Sequence, residues 1–120
     1  MPWEVLFTDE FAEWWDALTA DQQDALVGRV QLLEEHGPNL GRPSVDTIIG
    51  SNLPNLKELR ASEGGALRVL FIFDPIRQAV LLIGGNKSGQ WNEWYRDAIP
   101  RAEAIYAQYL AELREEGSIP

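Results

Sequence analysis

The stretch "NLKELRASEGGALRVLFIFD" (Asn55–Asp74) decides the fold. Glu63-Gly64-Gly65 splits it into two runs of strand character, and glycine supplies the positive φ that a tight hairpin needs. The runs Leu56–Ser62 and Leu67–Asp74 are therefore predicted as antiparallel neighbours. If Glu63–Gly65 is a three-residue loop, Ser62 faces Ala66, Arg60 faces Arg68 and Glu58 faces Leu70. Two arginines then stand opposite each other on a sheet, in a chain whose formal net charge is −9.

A third strand, Ala79–Asn86, follows the turn signal Asp74-Pro75. With a four-residue turn over Pro75–Gln78, Asp74 faces Ala79, Phe71 faces Leu82 and Arg68 faces Gly85. Strand side chains alternate. One face then carries Glu58, Arg60, Arg68, Leu70, Ile72, Leu81, Ile83 and Lys87. The other carries Leu59, Leu67, Val69, Phe71, Phe73, Val80 and Leu82, and is expected to lie on helices. Lys57 has the opposite parity to Arg60 and reaches the arginines only from the strand edge or through a bulge.

Upstream, Glu4–Thr8 reads as a short strand, with Thr8 or Asp9 as the cap of a helix. Phe11, Trp14, Trp15 and Leu18 follow at helical spacing. Thr19-x-x-Gln22 is a capping-box pattern opening a second helix, which Gly37-Pro38 ends. Residues 37–55 are a Gly/Pro-rich connection, expected to be tacked to the body by Ile48 and Ile49. Downstream, Ile99, Ala102, Tyr106, Tyr109 and Leu113 mark one face of a C-terminal helix. Pro100 suits its first turn, or kinks it if it starts near Asn92. This helix is one candidate to cover Leu70, Ile72, Leu81 and Ile83; a segment of a partner protein is the other. The expected architecture is α+β in one domain over residues 1–120. A twisted, mostly antiparallel sheet carries an N-terminal helical hairpin on one face, with a C-terminal helix in addition.

Bulk properties narrow the function. The 120 residues include no cysteine, which excludes disulfides and thiolate metal sites. No apolar run approaches the roughly 20 residues that span a bilayer, and Met1-Pro2-Trp3-Glu4 lacks a basic signal-peptide start, so a soluble cytoplasmic protein is expected. Phosphate-binding and dinucleotide glycine motifs are absent. Charge is uneven: residues 1–56 carry −8, residues 57–97 carry +1 and residues 98–120 carry −2. A global basic stripe is missing; a local cationic centre on an acidic body is one reading, and a solvated acidic surface that keeps the protein soluble is the other. Like charges directly opposed across strands destabilise a sheet. Arg60 and Arg68 therefore require a partner, either Glu58 on the same face or a bound anion that fits guanidinium forks. A plain Arg–Glu surface pair is the simpler alternative. The single histidine, His36, reads as a cation at a helix C-terminus.

"LKELR", "LRVLFIFDPIRQAVLLIGGNKSG" and "WYRDAIPRAEAIYAQYL" together resemble the HigB/RelE-like toxins of bacterial type II toxin–antitoxin systems. Within these they resemble the phage-derived HigB-like branch of the RelE/ParE superfamily. The pattern is K-x-L-R, R-V-L-[FY], D-P and G-G-x-K-x-G, over roughly residues 56–110. The resemblance implies a RelE-like fold and a ribosome-dependent messenger-RNA endonuclease that works without metal or other cofactor. It also implies a helix-turn-helix, HigA-like antitoxin partner, through which alone operator DNA would be bound. Arg60 and Arg68 match the family's sheet arginines and would clamp the scissile phosphate. Lys57 and Lys87 match its other basic positions, as catalytic or RNA-binding residues. Glu58 is the candidate general base. Tyr95 or Trp94 could stack on a base; packing in the core is the alternative for both. The chain departs from many such toxins in its acidity and in lacking a C-terminal histidine. Two other readings stay open: a non-catalytic inhibitor of a host target, as in ParE-like gyrase poisons, and an inactive phage- or module-derived interaction protein.

Overall fold

A computed structural model describes residues 2–61, 66–86 and 90–120. The expected Glu63–Gly65 turn and Lys87 lie outside the described residues. The chain runs β1 (Glu4–Phe7), α1 (Asp9–Asp16), α2 (Ala20–His36), a 3-10 turn (Gly37–Asn39), β2 (Val45–Thr47), β3 (Lys57–Ala61), β4 (Leu67–Phe73), β5 (Gln78–Gly85) and α3 (Trp91–Glu115). The sheet order is β1-β5-β4-β3-β2. β1 runs parallel to β5, and the other pairs are antiparallel.

Local signals place the first helices. Thr8 is the α1 cap: its Oγ1 accepts the Phe11 N–H at 3.3 Å and donates to the Leu82 carbonyl at 2.9 Å, so one side chain starts the helix and ties it to β5. The Thr19 box forms in full, with Gln22 N–H donating to Thr19 Oγ1 at 3.2 Å and Thr19 N–H to Gln22 Oε1 at 2.9 Å. Gly37 follows α2 with φ 54°, a backbone state that glycine adopts without strain. The connection after it is more ordered than a loop. Val45–Thr47 pairs antiparallel with Leu59–Lys57 as strand β2. Ile48 packs into the core as expected, but Ile49 is 92% exposed. Glu103 of α3 pins this segment by accepting from Ser51 Oγ at 2.7 Å and Asn52 N–H at 2.6 Å.

The β3–β4 register matches the expected one: Arg60 opposes Arg68 and Glu58 opposes Leu70. The β4–β5 register matches it only in part. Arg68 opposes Gly85 and Leu70 opposes Ile83, yet Phe71 opposes Leu81 and Phe73 opposes Ala79, with a bulge in between. The turn is the cause. Asp74 Oδ1 accepts the N–H groups of Ile76 (3.0 Å) and Gln78 (2.8 Å), and the Asp74 N–H donates to the Gln78 carbonyl at 2.8 Å. This closes a three-residue turn, Pro75–Arg77, in place of the four residues expected. The bulge at Leu82 then absorbs the slip. The face assignment of β5 changes accordingly. Leu81 points to the α1/α2 side, whereas Val80 and Leu82 point to the α3 side.

Both faces of the sheet are covered. One core joins Phe11, Leu18, Leu26 and Leu33 to Leu59, Val69, Phe71 and Leu81. The other joins Leu70, Ile72, Val80, Leu82 and Ile83 to Ala98, Ala102 and Tyr106 of α3. Leu70 is fully buried and Ile83 is 6% exposed, so the chain's own helix covers these residues and a partner segment is not needed there. α3 begins at Trp91 and carries Pro100 in its interior. The missing Pro100 N–H leaves the Arg96 carbonyl without its usual helical donor.

Gly84 and Gly85 allow the helices to close on the sheet end. A Cβ on Gly84 would lie 2.2 Å from the Trp14 ring, and one on Gly85 would lie 2.4 Å from the Trp94 ring. Trp14 of α1 and Trp94 of α3 thus rest flush on the β5 backbone from opposite faces. Gly84→Ala is expected to destabilise the fold by about 1–3 kcal/mol, the usual cost of overpacking. The check is a lower urea midpoint at unchanged slope.

Candidate functional site

The site lies where β2, β3 and β4 meet the first turn of α3. Glu58 comes from the centre of β3 and is 1% exposed, although it is a carboxylate. Burying such a charge is costly unless it is paired and hydrogen-bonded. It is both. Arg60 Nε donates to Glu58 Oε2 at 2.7 Å, and Arg68 Nη1 lies 3.9 Å from Oε1. The Tyr95 hydroxyl donates to Glu58 Oε1 and accepts from Arg68 Nη1 at 2.6 Å. The opposed arginines are thus compensated from within the chain, by a buried carboxylate and not by an exposed surface pair.

A second carboxylate stands at the outer edge. Asp46 of β2 lies 3.6 Å from Arg60 Nη2 and 3.2 Å from Arg42 Nη2. The Thr47 N–H bonded to it and the Arg42 guanidinium hold Asp46 below the usual carboxylate range. Three guanidiniums (Arg42, Arg60, Arg68) therefore meet two carboxylates (Asp46, Glu58), which leaves the described cluster cationic. The hydrogen bond to Glu58 raises the Arg60 pKa further, so its charge is permanent. Burial, and then the Glu58 hydrogen bond, push the Tyr95 phenol up to about 12, which keeps it protonated at neutral pH.

Arg68 is also held from α3. Its guanidinium carbon sits 4.2 Å from the Trp91 ring centroid, within cation–π range. Trp91, Trp94 and Tyr95 form one aromatic group, with Trp91–Trp94 centroids at 5.2 Å and Trp94–Tyr95 at 5.1 Å. The two arginine side chains differ in exposure, Arg60 at 36% and Arg68 at 16%, beside a buried anion.

Of the sequence-expected residues, Glu58, Arg60, Arg68 and Tyr95 come together. Lys57 does not join them. It opposes Phe71 on the α1/α2 side, and its Nζ donates to Thr47 Oγ1 at 3.2 Å. Lys87 lies outside the described residues. Trp94 packs on Gly85, and His36 sits in the last turn of α2, exposed. The sequence reading missed Asp46 and Trp91. A usable signal existed for the second: Trp91, Trp94 and Tyr95 are spaced i, i+3, i+4, one face of a helix. Asp46 had none, because its strand is three residues long within a Gly/Pro-rich connection.

This fold and this cluster define a RelE-like α+β scaffold with an arginine–carboxylate–tyrosine centre at one end of its sheet. A double mutant of the E. coli toxin RelE in its free state has the same fold, with a TM-score of 0.62 and 15% identity, over 84% of this chain and 98% of that one. The RelBE2 toxin–antitoxin complex of Mycobacterium tuberculosis contains a chain that superposes with a TM-score of 0.58 and 17% identity, over 72% of this chain and 100% of that one. Residues 13–107 match the family described as phage-derived protein Gp49-like. "Putative toxin HigB3" of Mycobacterium tuberculosis is 44% identical over 107 residues, which are 89% of this chain and 93% of that protein. The chain belongs to this phage-derived, Gp49-like family, to which its HigB-type relative is similar, and it shares the RelE fold.

Proposed function

We propose that the chain is the toxin of a toxin–antitoxin pair and that it cleaves messenger RNA on the ribosome. The observation that supports this reading is the opposed pair Arg60 and Arg68, locked by buried Glu58, with both arginine side chains partly exposed. In the reaction, the ribose 2′-oxygen attacks the adjacent phosphorus and the bond from phosphorus to the 5′-oxygen breaks. The 2′-hydroxyl proton passes to a base, and the departing 5′-oxygen takes up a proton. The products are a 2′,3′-cyclic phosphate and a 5′-hydroxyl. Charge grows on the phosphoryl oxygens along this path, and preorganised guanidiniums stabilise it without reorganisation. In this reading Arg60 and Arg68 bind those oxygens, and Lys87, which follows β5 in the sequence, adds charge. Trp91 positions Arg68.

Glu58 acts chiefly by aligning the two arginines. Serving as general base, the role its chemistry first suggests, would require its carboxylate to leave Arg60. Protonated Tyr95 suits proton donation better than base-stacking, since its hydroxyl is already directed into the cluster. Lys57, bonded to Thr47, would serve at most as an outer RNA contact. The proposed partner is a helix-turn-helix antitoxin, as the family resemblance implies.

One observation favours the non-catalytic inhibitor instead: both arginines already have a carboxylate partner. Induced expression separates the two readings. Growth arrest with new messenger ends, lost in Arg60→Ala and Arg68→Ala, is the expected result. Arrest without new ends supports the inhibitor.

A further inference from the structure

β1 pairs with β5 along one side, and among the described residues no strand pairs with its other side. A hollow flanks this edge on each face of the sheet. On the α1/α2 side, Val5, Phe7, Trp15, Val27 and Val30 line a hollow of about 280 Å³. On the α3 side, Leu6, Val80, Ile105 and Tyr109 line one of about 480 Å³. Phe7 is 64% exposed and Val27 42%, unusual for large apolar residues beside an open strand. A strand added to an edge projects alternate side chains to opposite faces. Here, one set would meet a mostly apolar hollow and the other a hollow with an apolar floor and a polar, acidic rim.

The rims fix the charge of the occupant. Glu34 stands at the first hollow, and Asp9, Glu10 and Glu112 at the second. None of the described residues lining either hollow is a lysine or arginine.

We propose that the outer edge of β1 is a strand-addition site for an extended, cationic segment of the antitoxin, with alternating apolar side chains that fill the two hollows. Its assignment to the antitoxin rests on the toxin reading above; the edge itself does not. This site lies on the opposite edge of the sheet from β2 and Asp46, so a segment bound there leaves the arginine cluster uncovered.

The test uses the full chain and three synthetic peptides of about nine residues. One alternates valine or leucine with lysine, the second replaces lysine by glutamate, and the third carries N-methyl groups on the lysine peptide's backbone. The lysine peptide is expected to bind, to slow amide exchange in residues 4–8 and to change tryptophan fluorescence. The other two, and the Phe7→Thr chain with the lysine peptide, are expected to bind at least about tenfold more weakly, a difference of 1.4 kcal/mol. Arg68→Ala is expected to bind the lysine peptide like the unmodified chain, so this result stands or falls apart from nuclease activity. No binding of the lysine peptide, equal binding of the N-methylated peptide, or indifference to Phe7→Thr would each overturn the proposal.

Discussion

Glu58→Ala is expected to destabilise the protein by about 3–5 kcal/mol, the range seen when one member of a buried ion cluster is removed. The carboxylate is almost fully enclosed, and it is the shared acceptor for Arg60 and Tyr95, with Arg68 close by. Without it, two guanidiniums face each other across β3 and β4 and lose the buried carboxylate that lies against both. Like charges so paired oppose strand association. The loss is to be read from urea denaturation. Glu58→Gln retains the shape and one acceptor oxygen, and is expected to fall between the alanine variant and the natural chain. An anion should partly replace the missing carboxylate, so sulfate or phosphate is expected to recover more stability in Glu58→Ala than in the natural chain. A cost below about 1 kcal/mol would mean that the arginines do not depend on Glu58 for their position.

The second large effect concerns Arg68. Arg68→Ala is expected to lower the rate of RNA cleavage by about 10²–10³-fold, as for removal of one preorganised donor from a charge-stabilising site. The fold should survive, because Glu58 keeps its Arg60 and Tyr95 partners. Arg68→Lys is expected to restore only a small part of the rate. Lysine keeps the charge but lacks the planar fork and stacks less well on an aromatic face, and Arg68 lies over Trp91. Single-turnover cleavage rates with the three chains, beside their denaturation curves, separate lost chemistry from lost folding.

Much of the fold was legible because two turns and three caps carry strong local chemistry. Thr8, Thr19-x-x-Gln22 and Gly37-Pro38 delimit the first two helices where the structure has them. Counting back from Gly64-Gly65 correctly set Arg60 opposite Arg68, and with it the face that holds Glu58. The same counting failed across Asp74-Pro75. An aspartate side chain can substitute for a turn residue by bonding backbone N–H groups, and Asp74 does so, which shortens the turn by one residue. The bulge that restores the register lies between the Leu70–Ile83 and Phe71–Leu81 pairs, away from the turn, and no turn residue marks it in the sequence. β2 escaped notice for a related reason. A three-residue edge strand is held by its partner strand, not by its own propensity. The "GG" of the third strand looked like part of a basic motif, yet its first physical role is to receive two tryptophans from elements some 70 residues upstream and nine downstream.

The site was readable to the same depth. Residues that alternate on neighbouring strands could be grouped from sequence alone; those arriving from β2 and α3 could not. Tyr95 was visible only as an aromatic that could stack on a base or pack in the core; the direction of its hydroxyl depends on where α3 begins. Trp91 gained a role only when that start fell on it.

The central claim is that Arg60 and Arg68 form a phosphate clamp for RNA cleavage. Its most direct test is a messenger bound to purified ribosomes, incubated with the natural chain in a chelating buffer, with the ends of the products sequenced. Cleavage leaving 5′-hydroxyl and cyclic-phosphate ends, abolished in the Arg60→Ala/Arg68→Ala chain, is the predicted result. An uncut messenger, or cutting by the doubly substituted chain at the natural rate, would contradict it.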